Sequence, residues 1–347
     1  MSEGLKIRAI GRFLPPGRCD TSAQAATLGV AQSVLESKLG FRQRAVKDAC
    51  GTTDLAEQAV QALLNHHPEL PTEEIGLLCV VTQNPDRRIP HTAATLHERL
   101  SLPRSCMTFD LSQGCAGFVH GLVTVVSLAA NLGIRRALLV TADPYSDIID
   151  PSDWQTALMF GDAATATWLD VEGPGFVTAV ADFGTSPGTS DVLRCTDRFR
   201  MNGREVYLHA SREVPRSIRS VLRRAQVGDE DIDAYLLHPG SLGLLRQLRT
   251  LLALDETRCP FEATGYGNTL SSSIPLMLAD RLTGEQPLVI LSGFGVGFTW
   301  GTCLLRWDPD RDVPGGTRLN EQPRRRTARP VEKDSEAAAT NDTTTAA

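Results

Sequence analysis

This 347-residue chain has no C-x-x-C pair, and its eight cysteines (19, 50, 79, 106, 115, 195, 259 and 303) follow no regular spacing. That pattern predicts neither a zinc site nor a disulfide framework, and it suits a reducing compartment. A secretory apolar segment is also absent. Met1-Ser-Glu-Gly-Leu-Lys-Ile-Arg8 passes directly into a strand-like pattern, so a cytoplasmic location is expected. A long, almost uncharged apolar run, Ala116 to Leu132, is too short for a confident membrane span and reads as a helix buried on all sides. At a net charge of −6 the basic residues are scattered without an aromatic-basic stripe, which argues against a nucleic-acid partner. The one basic cluster, Arg324 to Arg329, lies in a stretch (308–347) with almost no large apolar side chains. That stretch is expected to be a disordered tail with no inferred role.

What the chain does have is 41% hydrophobic residues and an alternation of strand-like and helix-like segments. Leu5 to Phe13 reads as a strand and Ser22 to Leu39 as a helix. Thr53 to Asn65 carries apolar residues at helical spacing, and Leu77 to Thr82 reads as a strand covered on both faces. A helix over Pro90 to Leu100, a strand over Met107 to Leu111, the Ala116 helix and a strand over Ala137 to Asp143 follow. Phe160 to Leu169 reads as a small-residue turn entering a strand. The pattern then repeats. Glu74 to Val81 resembles Asp231 to His238 at an offset of 157 residues (Ile75 to Ile232), with a long helix before each, Val206 to Ala225 in the second copy. Phe109 to Asp143 resembles Phe261 to Phe294 at an offset of 152, each with a phenylalanine-led strand, a small-residue turn, a buried helix and a strand. Two matches in one order imply a duplicated α/β unit with two sheets sharing helices, residues 1–171 and 172–307.

Cys115 stands at a sharp strand-to-helix turn, after Ser112-Gln-Gly114. Free N–H groups and the helix dipole there favour thiolate, and can bring an ordinary thiol pKa of ~8.5 toward neutrality. The local pattern serves equally well for an inert core thiol. His238 ends the strand Tyr235-Leu-Leu237, and Asn268 falls within one residue of the Cys115 position under the 152 offset. Ligands of α/β proteins bind at such strand ends. A backbone-satisfied histidine and a Gly-Asn turn are the plainer readings of these two. His66, His67, His91, His97, His120 and His209 have no motif partner, while Gly161 and Asp162 read as turn formers.

Taken together, Asp110-x-x-x-x-Cys115-Ala-Gly-Phe118, Phe160-Gly-Asp162-Ala, Leu237-His238-Pro, Gly267-Asn268-Thr with Ser273-Ile-Pro, and Gly293-Phe-Gly-Val-Gly-Phe-Thr-Trp-Gly301 resemble a known family. It is the β-ketoacyl-acyl-carrier-protein synthase III branch of the thiolase superfamily, matched in order and spacing over residues 5–307. The resemblance implies a thiolase-like fold, layered αβαβα, and a catalytic set of Cys115, His238 and Asn268. Cys115 would attack an acyl thioester, with its own N–H and that of Val296 forming the oxyanion hole. A malonyl thioester would then lose carbon dioxide while His238 and Asn268 donate hydrogen bonds to its carbonyl oxygen, and the carbanion would attack the acyl-cysteine. No tightly bound cofactor or metal is implied, only acyl-coenzyme A or acyl-carrier-protein thioesters as substrates. Partners would be an acyl carrier protein and a second copy of the chain, with Ile89 reaching into the partner's pocket on the loop from Asn84 to His91. At the cofactor mouth Val34 stands for a family tryptophan, Lys38 and Trp154 stand for two arginines, and Gly203 and Tyr207 lie nearby.

The chain also departs from the pattern. Ser112-Gln-Gly114 replaces an alanine-rich lead, and His238-Pro-Gly-Ser241 replaces His-Gln-Ala-Asn, a change closer to plant-type polyketide synthases. With the altered mouth, this leads to the expectation of a ketosynthase of specialised polyketide or fatty-acid-derived metabolism. Two rival readings are an acyltransferase passing the Cys115-bound group to an alcohol, amine or carrier thiol, and a non-catalytic subunit of a condensing heterodimer.

Overall fold

The structure, a computed structural model, describes residues 4–309. All but the first two residues of the expected tail therefore lie outside the described residues. Nine strands form one continuous hydrogen-bonded sheet: β1 (Lys6–Phe13), β2 (Leu77–Val81), β3 (Met107–Leu111), β4 (Arg136–Ala142), β5 (Ala164–Asp170), β6 (Gly175–Thr185), β7 (Ala234–Leu237), β8 (Leu288–Phe294) and β9 (Thr299–Asp308). Their order is β7-β8-β9-β6-β1-β5-β4-β2-β3. The first five strands run third, second, fourth, fifth, first, and the last four repeat that order without a third member. Pairing repeats too. β2 and β4 are parallel as β7 and β8 are, and β4–β5 and β5–β1 are antiparallel as β8–β9 and β9–β6 are. A single register pair, Ile7 with Phe176, joins the two sets, so the two sheets expected from the sequence are one continuous sheet.

The layers follow from a period of two in strands buried on both faces. On β2, Leu78 and Val80 pack outward against helices α1 (Thr52–His66) and α2 (Thr92–Arg99), whose apolar stripes include Leu55, Ala59, Leu63 and Leu96. Leu77, Cys79 and Val81 face inward onto α3 (Gly117–Leu132), and Ala234, Leu236, Val289 and Leu291 close on α3 from the other side. Beyond them Tyr235, Leu237 and Ile290 pack on α4 (Gly203–Ala225) and α5 (Leu242–Leu252). The result is the expected αβαβα stack. Each fully buried leucine or valine contributes ~1.5–3 kcal/mol to holding it together. Helix α3 approaches the sheet closely because a Cβ at Gly121 would stand 2.9 Å from Leu139 and 3.0 Å from Val81.

Three further sequence expectations change. The segment 22–39 is not one helix: Thr21–Thr27 ends before Gly29, whose φ of 68° is left-handed, and a short turn and a π-helical segment (Leu35–Leu39) follow. No strand forms at Phe261. Pro260 has no N–H to donate, and the extended pairing is reduced to the Tyr235 N–H bonded to Arg258 O at 2.7 Å. The helix expected after it is a short 3₁₀ turn and Ser273–Leu278. Finally, α3 is not buried on all sides, since Thr124, Ser127 and Asn131 are exposed along one face. No helix among the described residues is long and apolar enough to cross a membrane.

Candidate active site

The end of β8 is where the candidate residues meet. A Cβ on Gly293 would collide with the Cys115 carbonyl oxygen at 2.6 Å, so the nucleophile turn lies directly against this strand. One residue earlier, Ser292 O accepts the His238 N–H at 2.8 Å. From the turn after His238, Gly240 O accepts the Asn268 carboxamide at 3.4 Å. Cys115, His238 and Asn268 are thus linked through four backbone positions, although 153 residues separate the first from the last in sequence.

Cys115 follows β3 and precedes α3, and the turn is closed by the Gly117 N–H donating to Gly114 O at 2.7 Å. Its side chain is buried among Leu39, Phe41, Tyr145, Ile149, Phe160, Phe199 and Leu270. The sequence suggested a lowered thiol pKa. The structure gives the opposite direction: burial pushes the thiol up, the nearby Asp143 carboxylate adds to that, and the residue's own N–H opposes both. Both effects favour the protonated thiol over the thiolate. The loop 295–297 abuts it, with a Cβ on Gly295 placed 3.3 Å from Sγ. That glycine leaves space over the sulfur. Gly297 is left-handed (φ 69°) and Phe298 has φ 26°, a conformation bulky side chains rarely adopt. This contorted turn presents Val296 beside Gly114, where the oxyanion donor is expected.

The His238 ring packs edge-on to Phe294 with centroids 5.6 Å apart, and its Nδ1 is buried without a hydrogen-bond partner among the described residues. Desolvation lowers its pKa to about 3, so the imidazole is neutral and keeps a single N–H. Asn268 is held by its backbone, its N–H donating to Met159 O and its carbonyl accepting from Gly161 N–H, both at 2.9 Å. Its Oδ1 accepts the Leu270 N–H at 3.0 Å, and Leu270 is itself left-handed (φ 53°). A Cβ on Gly161 would collide with the Tyr266 carbonyl oxygen, which explains the glycine in Phe160-Gly-Asp162. Buried Asp162 accepts the N–H groups of Lys47 (2.9 Å) and Ser146 (3.1 Å) and the Ser146 hydroxyl (2.6 Å), tying the surrounding turns together. Burial raises its pKa against these donors.

The mouth residues lie outside this buried group. Ile89 is 85% exposed, and Lys38, Trp154 and Tyr207 are also exposed. Lys38 borders the His238 side, because a Cβ on Gly243 in α5 would touch its carbonyl oxygen at 3.3 Å. Trp154 opens a short helix (Trp154–Ala157) whose Ala157 packs in the Cys115 cluster, and Gly203 starts α4. Sequence reasoning missed a buried polar group beside the nucleophile, formed by Gln83, Asp143, Tyr145 and Ser271. The available signal was an acid, Asp143, closing the apolar strand Ala137 to Ala142. No cluster of three or more His, Cys, Asp or Glu able to hold a metal occurs among the described residues.

The fold, with Cys115, His238 and Asn268 gathered at the strand ends, is that of a thiolase-like enzyme of the acyltransferase class. Residues 109–185 match the model of 3-oxoacyl-[acyl-carrier-protein] synthase III, and residues 222–307 match that of its C-terminal part. The β-ketoacyl-[acyl-carrier-protein] synthase III of Geobacillus kaustophilus is 30% identical over 309 residues, covering 88% of this chain and 99% of the relative. The enzyme of the same name from Limosilactobacillus reuteri is 30% identical over 327 residues. Among solved structures, the synthase III of Pseudomonas aeruginosa PAO1 superposes with a TM-score of 0.81 at 31% identity, covering 90% of this chain and all of that one. That of Aquifex aeolicus VF5 gives 0.82 at 25% identity, covering 87% of this chain and all of that one. The chain belongs to the ketosynthase III family of acyl-transferring condensing enzymes.

Proposed function

We propose that this protein joins an acyl group to a malonyl thioester by decarboxylative Claisen condensation, with Cys115, His238 and Asn268 as catalytic residues. The observation that carries the reading is the pairing, behind a buried thiol, of an imidazole held neutral by burial with a carboxamide fixed on the neighbouring turn. Both are uncharged hydrogen-bond donors suited to one developing oxyanion. In the first half-reaction Cys115 Sγ bonds to the acyl carbon, the donor carbon–sulfur bond breaks, and the thiol proton leaves with the departing thiolate. No proton has to rest on His238. In the second, the malonyl carbon–carboxylate bond breaks with release of carbon dioxide, and the enolate oxygen is held by His238 and Asn268. The enolate carbon then attacks the acyl carbon and expels the Cys115 thiolate, which takes a proton from solvent to restore the thiol, leaving a 3-ketoacyl thioester. The N–H groups of Cys115 and Val296 hold the oxyanion of each tetrahedral intermediate.

The donor is a coenzyme A or carrier-protein thioester, entering past Lys38, Trp154, Gly203 and Tyr207. The changed mouth and the His238-Pro-Gly-Ser241 turn favour a specialised pathway. Two copies are proposed to pair through β3, an edge strand whose Met107 is 42% exposed, with Ile89 entering the partner's pocket. The chemistry is proposed to take place in the reducing cytoplasm, where the eight cysteines would remain thiols. The test is incubation with a panel of acyl donors and labelled malonyl thioester. Carbon dioxide release that depends on His238 and Asn268 is expected. Acyl transfer without it would replace condensation by simple acyltransfer, and failure of Cys115 to gain acyl mass would leave a non-catalytic subunit.

A further inference from the structure

Behind Cys115 lies a carboxylate that the reaction above does not use. Asp143 follows β4, is fully buried, and has no ion-pair partner among the described residues. Its Oδ1 accepts the Gln83 N–H at 2.7 Å, and its Oδ2 accepts the Ser271 hydroxyl. Gln83 follows β2. Its side-chain oxygen accepts the Tyr145 hydroxyl at 2.8 Å and stands 2.5 Å from where a Cβ on Gly114 would be, against the residue before the nucleophile. Ser271 adjoins the left-handed Leu270, whose N–H holds the Asn268 carboxamide oxygen. One carboxylate therefore grips the turn behind the thiol and the turn behind the asparagine.

We propose that Asp143 is a positioning residue of the condensation, its two oxygens keeping the Gln83 and Ser271 turns, and through them Cys115 and Asn268, in one register. The inference rests on the roles given to Cys115 and Asn268 above. Burying a carboxylate without a cation is unfavourable unless hydrogen bonds repay the lost hydration, and an apolar side chain would fill the space at less cost. Nor does Asp143 activate the nucleophile, since its charge opposes thiolate formation. The titratable groups in its field among the described residues are the Cys115 thiol and the Tyr145 phenol, both pushed up by it. Burial raises Asp143 itself to about 6. What remains for it is geometry, bought at the expense of a less acidic thiol.

Asp143→Asn keeps the shape and removes the charge, while Ser271→Ala removes one donor and leaves the charge. Cys115 alkylation by iodoacetamide, followed by peptide mass spectrometry from pH 6 to 10, should shift to lower pH in Asp143→Asn, at least about threefold faster at pH 8. It should not accelerate in Ser271→Ala. Carbon dioxide release per acyl-enzyme should fall about tenfold in both, as expected for a misplaced donor. An unchanged release ratio in Ser271→Ala overturns the proposal, and that variant decides it if Asp143→Asn does not fold. If wild-type protein releases no carbon dioxide from any malonyl thioester, the condensing function fails by itself. The alkylation profile then decides, and an Asp143→Asn curve superimposed on wild type removes Asp143 from the nucleophile's environment.

Discussion

The Asn268 carboxamide nitrogen and the Gly240 carbonyl oxygen are 3.4 Å apart, a long hydrogen bond that joins the turn after β7 to the loop ahead of the short helix Ser273–Leu278. At that length it is weak, so the carboxamide is located without being locked and can be given up to a substrate oxygen. Asn268→Ala should leave acyl loading of Cys115 intact in intact-protein mass spectrometry. Carbon dioxide release should fall by ~10²–10³-fold, the usual effect of deleting one oxyanion donor. Equal losses in both steps would contradict this assignment.

His238 has its pKa held near 3, below the unfolded value of about 6.5. Decarboxylation should therefore show no acid limb near pH 6.5 from this residue. For stability, the unfolded chain binds the extra proton between the two values, so the His238 contribution is intact above the unfolded pKa and is lost as pH falls below it. Asp143 acts in the opposite sense. With its folded pKa raised to about 6, the native state holds the extra proton, and stability falls as pH rises through the range from about 4 to 6. Thermal melts of wild type and His238→Gln should converge, or cross, as pH drops from 7 to 5. Parallel curves would show that the ring is not held neutral by burial.

A Cβ added at Gly295 would stand 3.0 Å from Cys115 Cβ and 3.3 Å from its Sγ, inside ordinary van der Waals contact. Gly295→Ala should abolish acyl gain on Cys115 while far-ultraviolet circular dichroism stays unchanged. Gly161→Ala differs, since its Cβ would collide with the Tyr266 carbonyl oxygen. It should lower the melting temperature by several degrees, in line with the ~1–3 kcal/mol typical of overpacking.

The free edge of β3 predicts self-association. If two copies pair there as proposed, Met107→Asp should lower the mass to that of a monomer in size-exclusion chromatography with light scattering, because a charge on an edge strand opposes pairing. Identical masses would place the contact elsewhere.

Much of this was legible in the amino-acid order because it depends on local rules. A continuous apolar run marked Leu77–Val81 as a strand covered on both faces, and its likeness to the stretch holding Ala234–Leu237 anticipated the duplicated layering, though as two sheets instead of one continuous sheet. The turns bearing Cys115, His238 and Asn268 stood out as strand ends and small-residue motifs. Local rules failed where one residue overrode a pattern: Gly29 split a helix, and Pro260 removed the donor a third strand would need. Only the tertiary structure decided the electrostatics. A helix start favours thiolate, but burial and Asp143, brought in from another strand, push Cys115 the other way, and burial alone makes His238 neutral. Desolvation and through-space charge depend on what the whole chain packs around a group, and no stretch of neighbouring residues carries that information.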